Sequence, residues 1–349
     1  MSEPLVIAGP GDIVAVIPHM LGARPENSVI VFPVDQDRPR PVARLDIPED
    51  LAEHRDVAAA LADSYASYAG GQLMVVAFTD RLERATSICE AVTQELEPDS
   101  TVVGQIAAQG DTWLRLGSGL PSAIAQGTIT QADRDRIAVA YVGAGARPPY
   151  DSLDQLRASF NPTGEDLSDA VAAATDHIET GGVWEPVVAA EERWMSHAIE
   201  GFIATGGPLS STDAARLIAD VQTVRLRDHA FMAMTREEAG AHAALWKDLL
   251  TRCPEEPRTP VASLAAFGAW LRGDGMGARH ALERVTDPTN RMAQLVRAMV
   301  ELGVNPANYT PPEPASRGDA VRDADMPRHD PRREPPVTGG GTLDRGPRR

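Results

Sequence analysis

The chain has 349 residues, more than one hydrophobic core usually serves, so two domains with ample buried material are expected. Its formal net charge of -17 argues against nucleic acid and anionic membrane as partners, because binding a phosphate surface needs clustered Lys and Arg. Lys247 is the one lysine among 33 basic side chains, which reads as GC-rich codon usage and carries no functional information.

The opening MSEPLVIAGP has an acidic residue and no Lys or Arg before its short apolar run, which fits neither a signal peptide nor a transit peptide. No apolar run approaches the roughly 18 residues of a membrane span. Cys89 and Cys253 stand far apart and outside any C-x-x-C pattern, so neither a disulfide framework nor a zinc knuckle is expected. These readings place the protein in the reducing cytoplasm.

Residues 5 to 117 alternate between helix and strand periods, as in an α/β sandwich. A short apolar helix pattern begins at Asp12 and runs into a corner in which Pro18, Gly22 and Pro25 constrain the backbone. Strands are expected at 28–34 and 41–47, joined by a hairpin at 35–40, with Arg44 and Asp46 on the polar face of the second. A helix over 51–68 leads to a buried strand over 72–79. Another helix, over 80–96, is capped by Thr79 or Asp80 and carries a stripe of Leu82, Ala85, Ile88, Cys89, Val92 and Leu96. Two more strands, 101–108 and 112–116, flank Gln109-Gly110-Asp111, where Gly tolerates positive φ. A mixed sheet follows.

Beyond Gly127 the strand signals fade. Helices are expected over 130–142, 152–160 and 165–178, with a joint at Gly181-Gly182, then over 186–204, 211–234, 236–251, 259–272, 277–285 and 291–302. The stretch 264–302 resembles one tetratricopeptide-like hairpin, but no second copy occurs near the 34-residue period. Trp194, Trp246 and Trp270 fall in apolar stripes and read as core. From Pro311 the chain mixes Pro, Gly, Arg and Asp with almost no apolar residue, and a disordered tail is expected. The fold class is thus an α/β (α+β) N-terminal domain with a mixed sheet at 1–127, then a helical connector at 128–183. An all-α domain at 184–308 and a disordered tail at 309–349 complete it.

Few motifs carry chemistry. Gly143-Ala144-Gly145 follows a helix pattern and precedes Pro148-Pro149, the reverse of a dinucleotide loop; Gly9-Pro10-Gly11 has Val14 where that loop needs its third glycine. Gly117-Ser118-Gly119 lacks the outer glycines of a nucleophile elbow. Asp176, His177 and Glu179, and Glu238 with His242, offer no third ligand at metal spacing and read as solvated helix faces. No cofactor and no metal are expected. His19 is the side chain of interest, placed between Pro18 and the Gly22 corner, with Asp12, Arg24, Glu26, Asn27 and Ser28 near it and Arg44 and Asp46 able to add charge. Ligands bind at such loops beyond strand ends, and the same residues also serve as helix caps and turn braces.

The stretch VIPHMLGARPENSVIVFPV resembles the opening of the DUF4192 family, an uncharacterised actinobacterial domain of unknown function with the pattern P-Y-L-L-G-F-x-P-x-x-S-L-V-V. Pro18, Leu21, Gly22, Pro25, Ser28, Val29 and Val31 match it, and Trp270, Gly273 and Asp274 resemble its C-terminal end, so the likeness covers about residues 5 to 305. The chain departs at His19 and Ala23, where aromatics are usual, and between Leu116 and Thr128, where many members carry a Cys/Pro/Gly-rich loop. The resemblance implies a fold and no activity.

Two functions are in view. One is a non-enzymatic cytoplasmic interaction or regulatory protein whose helical domain presents a surface to a protein partner, since no assembled nucleophile, metal or phosphate motif survives inspection. The other is a small-molecule-binding protein or enzyme with its site at the Pro18 to Ser28 corner, where His19 acts as acid or base near Asp12, Arg24 or Asp46.

Overall fold

The computed structural model describes residues 7, 9–34, 42–66, 70–117, 126–143, 147–181 and 185–310. The expected turn at 35–40 and the tail from 311 lie outside them. Six strands, β1 (Ser28–Pro33), β2 (Ala43–Asp46), β3 (Gln72–Phe78), β4 (Thr101–Gln109), β5 (Thr112–Leu116) and β6 (Gln126–Thr128), form one sheet in the order β2-β1-β3-β4-β5-β6. β3 and β4 run parallel and the other neighbouring pairs antiparallel. The sheet is mixed, as the sequence indicates.

Both faces of the sheet are covered, which is why β1 and β3 read as continuous apolar runs. On one face α1 (Pro10–Leu21) and α4 (Gln131–Gly143) pack Ile13, Val16, Ile17 and Ile137 against Ile30, Val76 and Ile106. On the other, α2 (His54–Tyr65) and α3 (Leu82–Leu96) pack Leu61, Ile88 and Val92 against Val29, Val75 and Ala77. Each fully buried Val, Leu or Ile among them is worth about 1.5–3 kcal/mol.

The remaining helices are α5 (Leu153–Ala158), α6 (Ser168–Gly181), α7 (Glu185–Thr205), α8 (Ser211–Asp220), α9 (Val224–Met232), α10 (Ala239–Arg252), α11 (Arg258–Leu271), α12 (Gly275–Leu282) and α13 (Arg291–Glu301). α11 is buried at every position from Val261 to Leu271, as an all-round apolar helix must be. α10 comes close to it at Gly268, where a Cβ would stand 3.1 Å from the Ala243 amide nitrogen. Trp246 and Trp270 are core residues, as expected. Trp194 is only half-buried and lies under the Arg216 guanidinium, 3.9 Å from its ring centre.

Four local readings are corrected. The single helix expected over 211–234 is two, α8 and α9, because the chain leaves the helix at Val221 and Thr223 starts α9 from an extended conformation. β6 is a strand that sequence periodicity misses. Leu82 is 54% exposed rather than part of the α3 stripe. The N-cap of α3 is Arg81, not Thr79 or Asp80; Thr79 instead accepts the Arg81 N–H through Oγ1 at 3.3 Å.

β6 also accounts for two glycines. It places Gly127 against the Trp113 indole of β5, where a Cβ would meet the ring at 2.6 Å, and a Cβ on Gly11 of α1 would meet the same indole at 3.1 Å. Gly11 is therefore a packing residue at the start of α1, where Pro10 occupies the first helical turn and Gly9 the N-cap.

Candidate functional site

The register sets where the α1–β1 corner lies. β1 runs antiparallel to β3, with Ser28 opposite Phe78, so the corner before β1 sits beside the carboxyl end of β3. β4 runs parallel to β3 with Ala108 opposite Phe78, so the β4–β5 turn at Gly110-Asp111 emerges at the same end. The corner itself is tied down. Gly22 ends α1 in the left-handed region at φ 75°, a conformation glycine adopts without steric cost. The amide of Tyr150 donates to Gly22 O (2.9 Å) and the amide of Arg24 donates to Tyr150 O (3.0 Å), with Ala23 fully buried between. A short strap, 147–151, thereby pairs with the corner.

Between corner, strap, β4–β5 turn and α4 lies a cleft of about 510 Å³. Val14, Ala15 and Pro18 of α1 with Phe78 and Ile129 give it apolar surface, to which Pro25, Pro148 and Pro149 add. Its polar lining is His19, Arg24, Glu26, Asp111, Gln131, Arg134, Asp135 and Asp151.

The structure brings together three of the seven candidate residues, His19, Arg24 and Glu26. The others brace the corner from behind and do not line the cleft. Asn27 takes positive φ, 42°, which Asn tolerates better than most side chains. Its Oδ1 accepts from the Thr79 hydroxyl (3.3 Å), and its carbonyl accepts the Ile47 amide (2.7 Å). Ser28 is fully buried; its hydroxyl donates to Glu26 O (2.7 Å) and accepts from Arg44 Nε (3.0 Å). The Arg44 side chain is buried and pairs with Asp46 on its own strand. Burial pulls its guanidinium below its ordinary value while Asp46 opposes this. Asp12 is likewise out of reach of the cleft, buried and paired with Arg136 of α4.

His19 is half-buried on the last turn of α1, its ring 4.9 Å from that of Tyr141 and inclined by 30°. Its Nδ1 is buried without a hydrogen-bond partner, and the residue lines the cleft. Burial, followed by the positive field of Arg24, holds the imidazole below its ordinary 6.5, so it is neutral at pH 7. On the opposite wall Arg134 pairs with Asp111 and donates to Gln131 Oε1 (3.3 Å), while Gln131 Nε2 donates to Asp135 (2.7 Å). Sequence reasoning misses this wall and Asp151, because residues about 90 to 130 positions from His19 meet it only through the strand order.

A second hollow, about 390 Å³, lies in the helical part beside Ser196, Glu200, Glu238 and His242. His242 is 1% exposed with an unpartnered Nδ1, not on a solvated face as expected. Ser196 Oγ lies 2.9 Å from His229 Nε2. Among the described residues no group of three or more His, Cys, Asp or Glu side chains is arranged for a metal ion, and no helix is long and apolar enough to cross a membrane.

No curated protein and no solved structure matches the chain. One family does, over residues 10–307, from the first helix through α13, and the chain belongs to it: the family described as Domain of unknown function (DUF4192).

Proposed function

We propose that this chain is a cytoplasmic, non-enzymatic binding protein that holds a small polar organic molecule in the cleft at the carboxyl ends of β3 and β4. The observation that carries this reading is the meeting, over one apolar floor, of the half-buried His19 imidazole and an arginine with no ion-pair partner among the described residues. Crevices beyond the carboxyl ends of parallel strands are where open α/β sheets bind ligands, and the volume falls within the usual range for small-molecule sites.

The test is a thermal-shift screen of polar metabolites on the full chain. A ligand at a hundred times its Kd stabilises by about 2.7 kcal/mol. The shift is expected to fall away in a His19→Ala/Arg24→Ala double variant whose unliganded melting point matches the parent. A shift that persists in that variant, or none across the screen, overturns the proposal. A protein-partner role for the helical part is a second reading, favoured by Leu295, Leu302 and Val304, which are 53%, 69% and 39% exposed on α13 and just beyond it; its test is affinity capture with the full chain.

A further inference from the structure

We infer that the occupant of the cleft is a small zwitterion of the amino-acid type, with a carboxylate and an ammonium on an apolar frame. The inference rests on the cleft being the binding site.

The charges lining the cleft are unequal and unequally satisfied. Four carboxylates, Glu26, Asp111, Asp135 and Asp151, face two guanidiniums, Arg24 and Arg134. Asp111 takes up Arg134, and Gln131 bridges Arg134 and Asp135, so that wall is complete in itself. Arg24, Glu26 and Asp151 have neither an ion-pair nor a hydrogen-bond partner for their side chains among the described residues, whereas Asp135 accepts from Gln131. Arg24 and Glu26 stand two positions apart across Pro25, roughly 6–7 Å of extended chain, and both line the cleft. The unpaired groups thus offer one positive and two negative ends over an apolar floor.

A guanidinium fork matches a carboxylate bidentately. An ammonium has three donors, which Glu26 and Asp151 can accept. The competing chemistries fit less well. A phosphate or other dianion meets an excess of carboxylates. A simple organic cation leaves Arg24 without a counter-charge, and an uncharged sugar displaces water from three charges and pairs with none of them.

The experiment is a thermal-shift panel of the twenty amino acids, glucose and AMP on the full chain. Calorimetry then sets the best amino acid against its deaminated and decarboxylated counterparts, for leucine 4-methylpentanoate and 3-methylbutylamine. The amino acid is expected to bind at least tenfold more tightly than either counterpart. Arg24→Gln should erase its preference over the amine, and Glu26→Gln with Asp151→Asn its preference over the acid. A single-charge counterpart that binds as tightly, or glucose or AMP bound in place of any amino acid, overturns the zwitterion and leaves the cleft as a binding site. Silence from every probe overturns the zwitterion, and silence across the wider metabolite screen as well overturns both.

Discussion

Asp220 ends α8 with its side chain fully buried and neither carboxylate oxygen hydrogen-bonded. Burial, then the nearby Glu191 carboxylate, push its pKa from 3.8 up to about 7, against the pull of Arg216, which itself makes a bidentate pair with Glu191. The folded chain therefore keeps a proton that the unfolded chain gives up near pH 4. Stability is greatest below the unfolded value, falls as pH rises between about 4 and 7, and is flat above. A difference of about three pKa units corresponds to at most about 4 kcal/mol. Asp220→Asn removes the titration and leaves the shape. Its amide brings a penalty of about 1–3 kcal/mol for buried unpaired donors, but that penalty does not depend on pH. Urea unfolding of both proteins from pH 4.5 to 8 isolates the effect, since every other titrating group is shared. The stability of the variant relative to the parent should rise by up to about 3 kcal/mol across that range. A difference that stays constant, or that falls with pH, refutes the reasoning.

Other outcomes follow from the same physics. His19 is held neutral by burial and Arg24, so its contribution is present above its unfolded value of 6.5 and lost as pH falls below it; His19→Gln should lose less melting temperature than the parent between pH 7.5 and 5. Gly127→Ala drives a Cβ into the Trp113 ring and should cost about 1–3 kcal/mol by denaturant titration. The Lys247 ammonium donates to Ser159 Oγ (2.6 Å) and Tyr150 OH (3.2 Å) and lies 4.2 Å from the Phe160 ring centre; Lys247→Met should lose about 1–3 kcal/mol, and Lys247→Arg should not restore it, because a planar fork does not fit a compact ammonium site. Cys89 and Cys253 are buried, which raises both thiols, Cys253 to about 12, so neither should react with a disulfide reagent until the chain unfolds.

The elements that the sequence reveals are those whose apolar pattern records what packs on each of their faces. β1 and β3 are legible because both faces are covered; α3 is legible because Ala85, Ile88, Cys89, Val92 and Leu96 all meet the sheet. β6 is not, since Gln126-Gly127-Thr128 has no apolar alternation and is held by its ladder to β5 and by the Trp113 contact. The break between α8 and α9 is hidden for a similar reason. Val221 is fully buried and Leu226 and Ala230 continue the apolar stripe, so the pattern runs on while the backbone turns. At the candidate site the corner is readable from Pro18, Gly22 and Pro25, and His19 with it. Which polar neighbours face the cleft is not readable, because Ser28 and Arg44 turn inward to brace the backbone while Asp111, Arg134 and Asp151 arrive from other elements.

The claim that the cleft binds a small polar ligand is tested most directly by NMR of the full chain with the probe that raises its melting point most. Saturation should move the imidazole resonances of His19 and the backbone amides of Arg24, Glu26, Gly110 and Asp111, with little change elsewhere. Shifts centred instead on Ser196, Glu238 and His242 would move the site to the helical hollow and contradict the account.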